Sequence, residues 1–408
     1  MVLAPDFRPG PSVASLSAAG ACVPLAFAAG VAGASPLLRL RIHVPGGPDH
    51  LTDKISIIDC RDLDDDLAQA WQALALTRPD LGSPFYQPGF ARIIARQQPG
   101  LRLALIEQQG RLCGVFPFHR DRWGRLHSVG HRLNDYHGLV MRQGVEIEAR
   151  PLLQACDARY FAFDHMPLTQ HAFAPYIGLE THSPIMEVEG GIEAYRRRLS
   201  ARSAKGSSGI FQSVGNARRR LERQVGPVRL EMACKDPRAY ERLLALKSRQ
   251  FISTTGSNPL ELPWVRGVLD DVFTCDQEAF GGMLSVLYAG DQMVALHLGL
   301  RHAGQCHVWF ITYDTEFSAY SPGLVLLMGM AEAADAHGFS VLDLGRGSQP
   351  YKTRFQTSSI ALGEGAVSRP QWLAQAAMAK AERKRWLKTT ILGQAWRTGK
   401  RWLHRVDR

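Results

Sequence analysis

"CHVWFITYDTEFSAYSPGLVLLMGMAEAADAHGFSVLDLG", residues 306–345, decides the architecture. Its first eight residues are apolar and aromatic and read as a strand, and "SVLDLG" reads as another. Between them an apolar run from Pro322 to about His337 is long enough for a buried helix, and Gly338 is a natural C-terminal cap. Strand, helix, strand in that order is a crossover, which makes the flanking strands parallel. The helix entry is Ser321-Pro322-Gly323. Proline fits the first turn because its missing N–H would lack an intrahelical partner. Ser321 can cap, and Gly323 lets a ligand approach the backbone. First-turn amides such as those of Gly323 and Leu324, backed by the helix dipole, then form a site for phosphate. An ordinary strand-to-helix turn would use the same residues. Position favours the ligand, because open α/β sheets bind at the carboxyl ends of their strands.

Working outward, strands are expected at 283–288, 293–300 and 306–313, joined by short hairpins. Helices are expected at 261–273 and from Pro237, capped by Asp236, through "KDPRAYERLLALKSRQFIST". Downstream, "LDLGRGSQPYKTRF" (342–355) delivers Asp343, Arg346, Tyr351 and Lys352 to the same sheet edge as the helix entry. "GRGSQP" lacks the third glycine of a dinucleotide fingerprint, and no phosphate-loop or nucleophile-elbow motif is present. The first half repeats the outline: strands at 101–107, 112–120 and in "RLHSV", a helix near 145–158, and a strand at 160–165 that puts Asp164 in the place of Asp343. The expected class is α/β (α+β), with two similar lobes and only the second equipped for an anionic ligand.

Length and composition agree with a globular chain of two domains: 408 residues, 45% hydrophobic and 21% charged. Seven dispersed cysteines form no CxxC pair, which fits reduced thiols better than a disulfide framework or zinc site. "HSVGH" at 127–131 lacks the glutamate of a zinc-protease helix. The net charge of +10 is concentrated in 196–223 and 371–408, which leaves the body of the chain acidic and points to anionic partners. Residues 1–50 are Ala/Gly-rich and suit neither a signal peptide nor a membrane span, so a disordered extension is expected there.

"WFITYDTEFSAYSPGLVLLMGMAEAADAHGFSVLDLGRGSQPYKTRF" resembles the signature of the CelD/BcsL acetyltransferases, GNAT-fold proteins associated with cellulose and exopolysaccharide synthesis. YD, SPG, LDLGRG and PYK occur together in order, and the likeness extends through "GNARRRLERQVGP" and "LNDYHGLV". It implies two GNAT-like lobes in tandem, at 51–190 and 191–368, related in architecture to the FemABX transferases. It also implies transfer from acetyl-CoA or another acyl-CoA to a saccharide or small-molecule acceptor, with no metal. The usual GNAT pyrophosphate loop is missing from the sequence.

In such a reaction the acceptor attacks the thioester directly, and amides where the parallel strands splay stabilise the oxyanion. Asp314 and Asp343 are the candidate bases, with His297 third, and Tyr351 is the candidate acid. Ser321, Gly323 and Leu324 would bind the cofactor, and Arg346 or Lys352 would hold a cofactor phosphate or an acidic acceptor. Trp309 and Tyr313 read as sheet residues. Two other readings stay open: an aminoacyl-tRNA-dependent transferase of FemABX type, and an accessory factor that keeps the fold without the activity. Nucleic acid is disfavoured because the 196–223 segment holds one aromatic residue, Phe211, and no RNA-binding motif. The tail from Gln371 carries four of the eight tryptophans among ten basic residues, a composition suited to an anionic membrane surface or a membrane-bound synthase. A cytoplasmic protein, peripheral at the inner face of the membrane, is expected.

Overall fold

The structure, a computed structural model, describes residues 54–202 and 208–370. The expected extension at 1–50 and the tail from Gln371 lie outside the described residues. The first half of the chain forms β1 (Lys54–Asp59), α1 (Asp65–Leu76), α2 (Pro88–Gln97), β2 (Leu101–Gln108) and β3 (Arg111–Arg120). It continues with β4 (Arg125–His127), β5 (Val140–Met141), α3 (Ala149–Ala155), β6 (Tyr160–Pro167) and β7 (Ile177–Glu187). Two helices, α4 (Gly191–Arg202) and α5 (Ser208–Gln224), connect it to the second half. That half forms β8 (Val228–Glu231), α6 (Pro237–Thr255), α7 (Pro263–Thr274), β9 (Gly281–Ala289), β10 (Gln292–His302) and β11 (Gln305–Tyr313). It ends with α8 (Pro322–Ala333), β12 (Val341–Asp343), α9 (Pro350–Phe355) and β13 (Ser358–Ser368). Apart from β5 and α9, both halves read β-α-α-β-β-β-α-β-β. The duplication is real at the level of element order.

The strands form one sheet in the order β1-β2-β3-β4-β6-β13-β7-β12-β11-β10-β9-β8, with β5 paired to β3 off the path. Read from either end, the order is the same set of counterparts. Each half has one parallel pair, β4 with β6 and β11 with β12, made by the α3 and α8 crossovers. The last strands are exchanged. β7 of the first half pairs with β12, β13 of the second half pairs with β6, and the two meet at the centre.

Both faces are covered. Leu103 and Leu105 enter one core while Ala104 and Ile106 enter another, the two-residue period of a strand buried on both sides. Helices α1, α2, α6 and α7 share a single core that joins the halves through Trp71, Phe90, Ile94, Leu243, Val268 and Leu298. On the opposite face α8 packs with α4 and α5 through Leu326, Leu327, Met330, Leu199 and Leu221. Each fully buried Leu or Met contributes about 1.5–3 kcal/mol, so α8 is held by burial rather than by intrinsic propensity.

Some expected boundaries move. Helix α8 ends at Ala333 and tightens into a 3-10 turn, Asp335–His337, before Gly338 caps it at φ 69°. Strand β12 pairs only at 341–343, because Gly345 and Gly347 take φ of 71° and 144° and turn the chain out of the sheet. The helix expected near 145–158 spans 149–155. Asp164 lies on β6 but is exposed, whereas Asp343 is buried.

Candidate active site

The residues singled out by sequence fall into two groups at either end of one strand segment. β12 pairs with β11 only from Gln305↔Val341 to His307↔Asp343, and among the described residues β11 then continues without a partner strand on that side to Tyr313. At about 3.3 Å per residue, residues 307–313 span roughly 20 Å. Asp343, Arg346, Tyr351 and Lys352 lie at the near end, where β12 departs. Asp314, Ser321, Gly323 and Leu324 lie at the far end, where α8 begins. A bulge between the β10 partners Leu298 and Leu300 falls just past His307, next to that departure.

At the far end Ser321 does not cap. Its φ of 49° leaves no side-chain bond to the helix, and its carbonyl instead accepts from the amides of Leu324 (2.9 Å) and Val325 (3.3 Å). Leu324 therefore spends its amide locally, and the Gly323 amide is the first-turn donor left over. A Cβ on Gly323 would meet only Cδ1 of Tyr313, at 3.5 Å. Asp314 follows β11, accepts from the Glu316 amide at 3.1 Å and pairs with Arg242. Helix α5 brings charge to this end. Arg220 donates to the Ala319 carbonyl at 2.9 Å, and Asn216, Arg219, Arg220, Glu222 and Arg223 line a cavity of ≈ 580 Å³.

The near end is a polar centre where the halves meet. Asp343 accepts from the Tyr136 hydroxyl (2.5 Å), the Ser183 hydroxyl (2.6 Å) and the Gly345 amide (2.9 Å). The His307 ring lies between two carboxylates: Nε2 is 2.8 Å from Asp135 Oδ2, and Nδ1 is 3.4 Å from Asp343 Oδ2. The longer contact is an ion pair rather than an aligned hydrogen bond. Burial opposes a charge on His307, but Asp343 and Asp135 outweigh it and hold the imidazole up at about 9. Both carboxylates are held below their ordinary range; burial works against this, and the contacts with His307 prevail. Lys352 donates to the carbonyls of Gly345 (2.9 Å) and Arg346 (3.1 Å), so it fastens the loop after β12. Arg346 pairs with Glu364 and donates to the Asp164 carbonyl. Tyr351 packs against the α8 core, and burial raises its phenol, which stays protonated at neutral pH.

Because His307 is raised in the folded state, its contribution is complete below pH 6.5 and lost as pH climbs through 9. The size is about 3 kcal/mol, from about 1.36 kcal/mol per pKa unit. The two carboxylates act in the opposite direction, and their contribution fades as the medium becomes acidic. The urea midpoint of the wild type should therefore fall between pH 6.5 and 9 more steeply than that of His307→Gln. Parallel profiles would remove the ion pair from the account.

Sequence reading missed Asp135, Tyr136, Ser183, His307 and Lys247. "LNDYHG" was a usable signal, a cluster of polar residues after a strand. Nothing local marks Ser183 or Lys247. The Lys247 ammonium donates to the Ile311 carbonyl on β11 at 2.9 Å, and burial, then repulsion from Lys352, brings it down to about 8. His297, the third candidate base, is fully buried on β10, and desolvation lowers it to about 3. It stays neutral.

Residues 210–353, from α5 into α9, match the family model described as an acetyltransferase (GNAT) domain. No curated protein matches the chain. Among solved structures FemX is 9% identical, covering 75% of this chain and 97% of its own with a TM-score of 0.53. A conserved protein of unknown function from Bacteroides thetaiotaomicron is 13% identical, with coverage of 75% and 99% and a TM-score of 0.46. A tandem GNAT protein from the clavulanic acid biosynthesis pathway is 9% identical, with coverage of 77% and 98% and a TM-score of 0.43. The fold is a mixed α/β fold of two halves with one element order, of which the second carries the match to the acetyltransferase (GNAT) domain.

Proposed function

We propose that the chain is an acyltransferase that takes its acyl group from a coenzyme A thioester. The observation that carries this reading is the open edge of β11. Residues 310–313 are paired to β10 on one side, with 308–309 in the bulge, and among the described residues 308–313 meet no strand on the other side, between a helix start with basic neighbours and a buried polar centre. An extended, amide-bearing arm with phosphate at one end fits such an edge, since free strand edges accept backbone-like partners. The Gly323 amide, the α8 dipole and Arg219, Arg220 and Arg223 would hold the phosphates. The thioester supplies an activated acyl group. It would then lie where β12 leaves β11, beside Asp343.

Asp343, rather than Asp314, is the carboxylate at that position, and we assign it the acceptor's proton. Tyr136 and Ser183 hold its orientation, and His307 keeps it ionised. Tyr351 is assigned as the proton donor to the leaving thiolate. The acceptor is proposed to be a sugar, a polysaccharide precursor or a related amine, on the strength of the sequence resemblance. Calorimetry with acetyl-CoA tests the reading: saturable micromolar binding supports it, and no heat at millimolar ligand rejects it.

The tail from Gln371 is proposed to hold the protein at the inner face of a membrane. No helix among the described residues is long and apolar enough to cross one. Full-length protein should float with anionic vesicles at low salt, while a chain ending at Arg369 should not. Equal flotation, or none by either, rejects the assignment.

A further inference from the structure

A second cluster, on the first-half side of the polar centre, has the composition of a metal site. His137 is buried, with 5% of its surface exposed. Its Nε2 lies 3.2 Å from the Asn134 carbonyl oxygen, so this nitrogen carries the hydrogen and donates. Nδ1 is left with a lone pair and no hydrogen-bond partner among the described residues. It faces Asp164, whose Oδ1 is 3.8 Å away. A buried lone pair that faces a carboxylate oxygen rather than a donor lacks an electropositive partner. His165 completes the group, with Nδ1 2.8 Å from the same Asp164 oxygen. One donor atom from each of the three residues lies within 4.8 Å of the others.

We propose that His137, Asp164 and His165 bind a divalent first-row transition ion of the zinc class. Two imidazoles and a carboxylate are a recurrent ligand set for such ions, with water in the remaining position. Donors around one tetrahedral ion, with bonds of about 2.0–2.1 Å, sit roughly 3.3 Å apart. Here two pairs stand at 2.8 and 3.8 Å and all three atoms lie within 4.8 Å of one another, so small side-chain rotations bring them to that spacing. The outer contacts also fit. The second nitrogen of His137 faces a backbone carbonyl, and that of His165 lies 3.6 Å from Asp135 Oδ1, the two commonest partners of a metal-bound histidine. Asp164 is exposed, which gives the ion an entry path and room for water. The Arg346 guanidinium lies 3.9 Å from Asp164 Oδ2, the carboxylate oxygen other than the one that faces His137 and His165. Asp135 bridges the two centres, with Oδ1 toward His165 and Oδ2 on His307. The site stands whether or not the chain transfers acyl groups.

The test uses full-length protein stripped with a chelator and then titrated with Zn²⁺ against a chromophoric competitor, with Co²⁺ as the spectroscopic probe. One ion per chain is expected, with Co²⁺ bands of a nitrogen- and oxygen-ligated low-coordinate site. Asp164→Asn and His165→Gln should each weaken Zn²⁺ binding by roughly 10–100-fold or more. Both positions are at least partly exposed, so the metal-free variants should melt as the wild type does. Asp157→Asn, which alters a surface carboxylate paired with Arg120, should leave the affinity unchanged. Zn²⁺ affinity that is equal in wild type and Asp164→Asn, or stoichiometric binding absent from the wild type, overturns the proposal and leaves His137 facing water.

Discussion

Asp343→Asn is expected to lower the unfolding free energy by about 3–5 kcal/mol, the usual cost of breaking a buried ion pair from one side. The amide keeps the shape but loses the charge that Tyr136, Ser183, the Gly345 amide and His307 all converge on. It also places an NH₂ group opposite donors that need an acceptor. Acyl transfer by the folded variant should fall about 10²–10⁴-fold if this carboxylate draws the proton, with acetyl-CoA affinity nearly unchanged. Urea titration gives the first number and steady-state kinetics the second. A variant of wild-type turnover would move the base to Asp314, and Asp314→Asn then becomes the decisive experiment.

Gly323→Val should weaken acetyl-CoA binding roughly tenfold or more, which is about 1.4 kcal/mol. The branched side chain would stand over the one first-turn amide that the helix entry leaves available, while its Cβ meets nothing closer than the Tyr313 ring. Gly323→Val should therefore melt near wild type, and calorimetry should show the loss in affinity alone. Unaltered affinity in the folded variant would put the phosphates elsewhere, and the arginines of α5 would be the next place to look.

What the sequence made legible was whatever is written locally. The α8 crossover is a long apolar run closed by Pro322 and Gly338, and β9 to β11 are short apolar strands between turn residues. All of these formed within a few residues of expectation. The centre of the sheet was not legible. β7 carries Gly178, His182 and Pro184 and has exposed positions along half its length, while β13 begins with Ser358-Ser359. Neither has a strand's usual period, and each is a strand because the other half of the chain offers it an edge. The candidate site divides in the same way. Asp343 stood out as a lone carboxylate in an apolar strand. His307 looked like one of many histidines, since its meaning lies in Asp135, 172 positions away in sequence. Ser321 misled because a capping residue type does not guarantee a capping conformation.

The exchanged strands carry a consequence for synthesis. When β6 leaves the ribosome, the strand that will cover its free edge, β13, lies about 190 residues ahead in the chain. During that interval the first half presents an uncovered edge with Phe161, Phe163 and Met166 behind it, a surface prone to pairing with a second nascent chain. The last of the described strands to emerge, β13, joins the two halves, so pairing so remote in sequence makes slow, late consolidation the expected kinetic signature. A chain released before Ser358, about fifty residues short of Arg408, would lack β13 and leave two unfinished sheets in place of one.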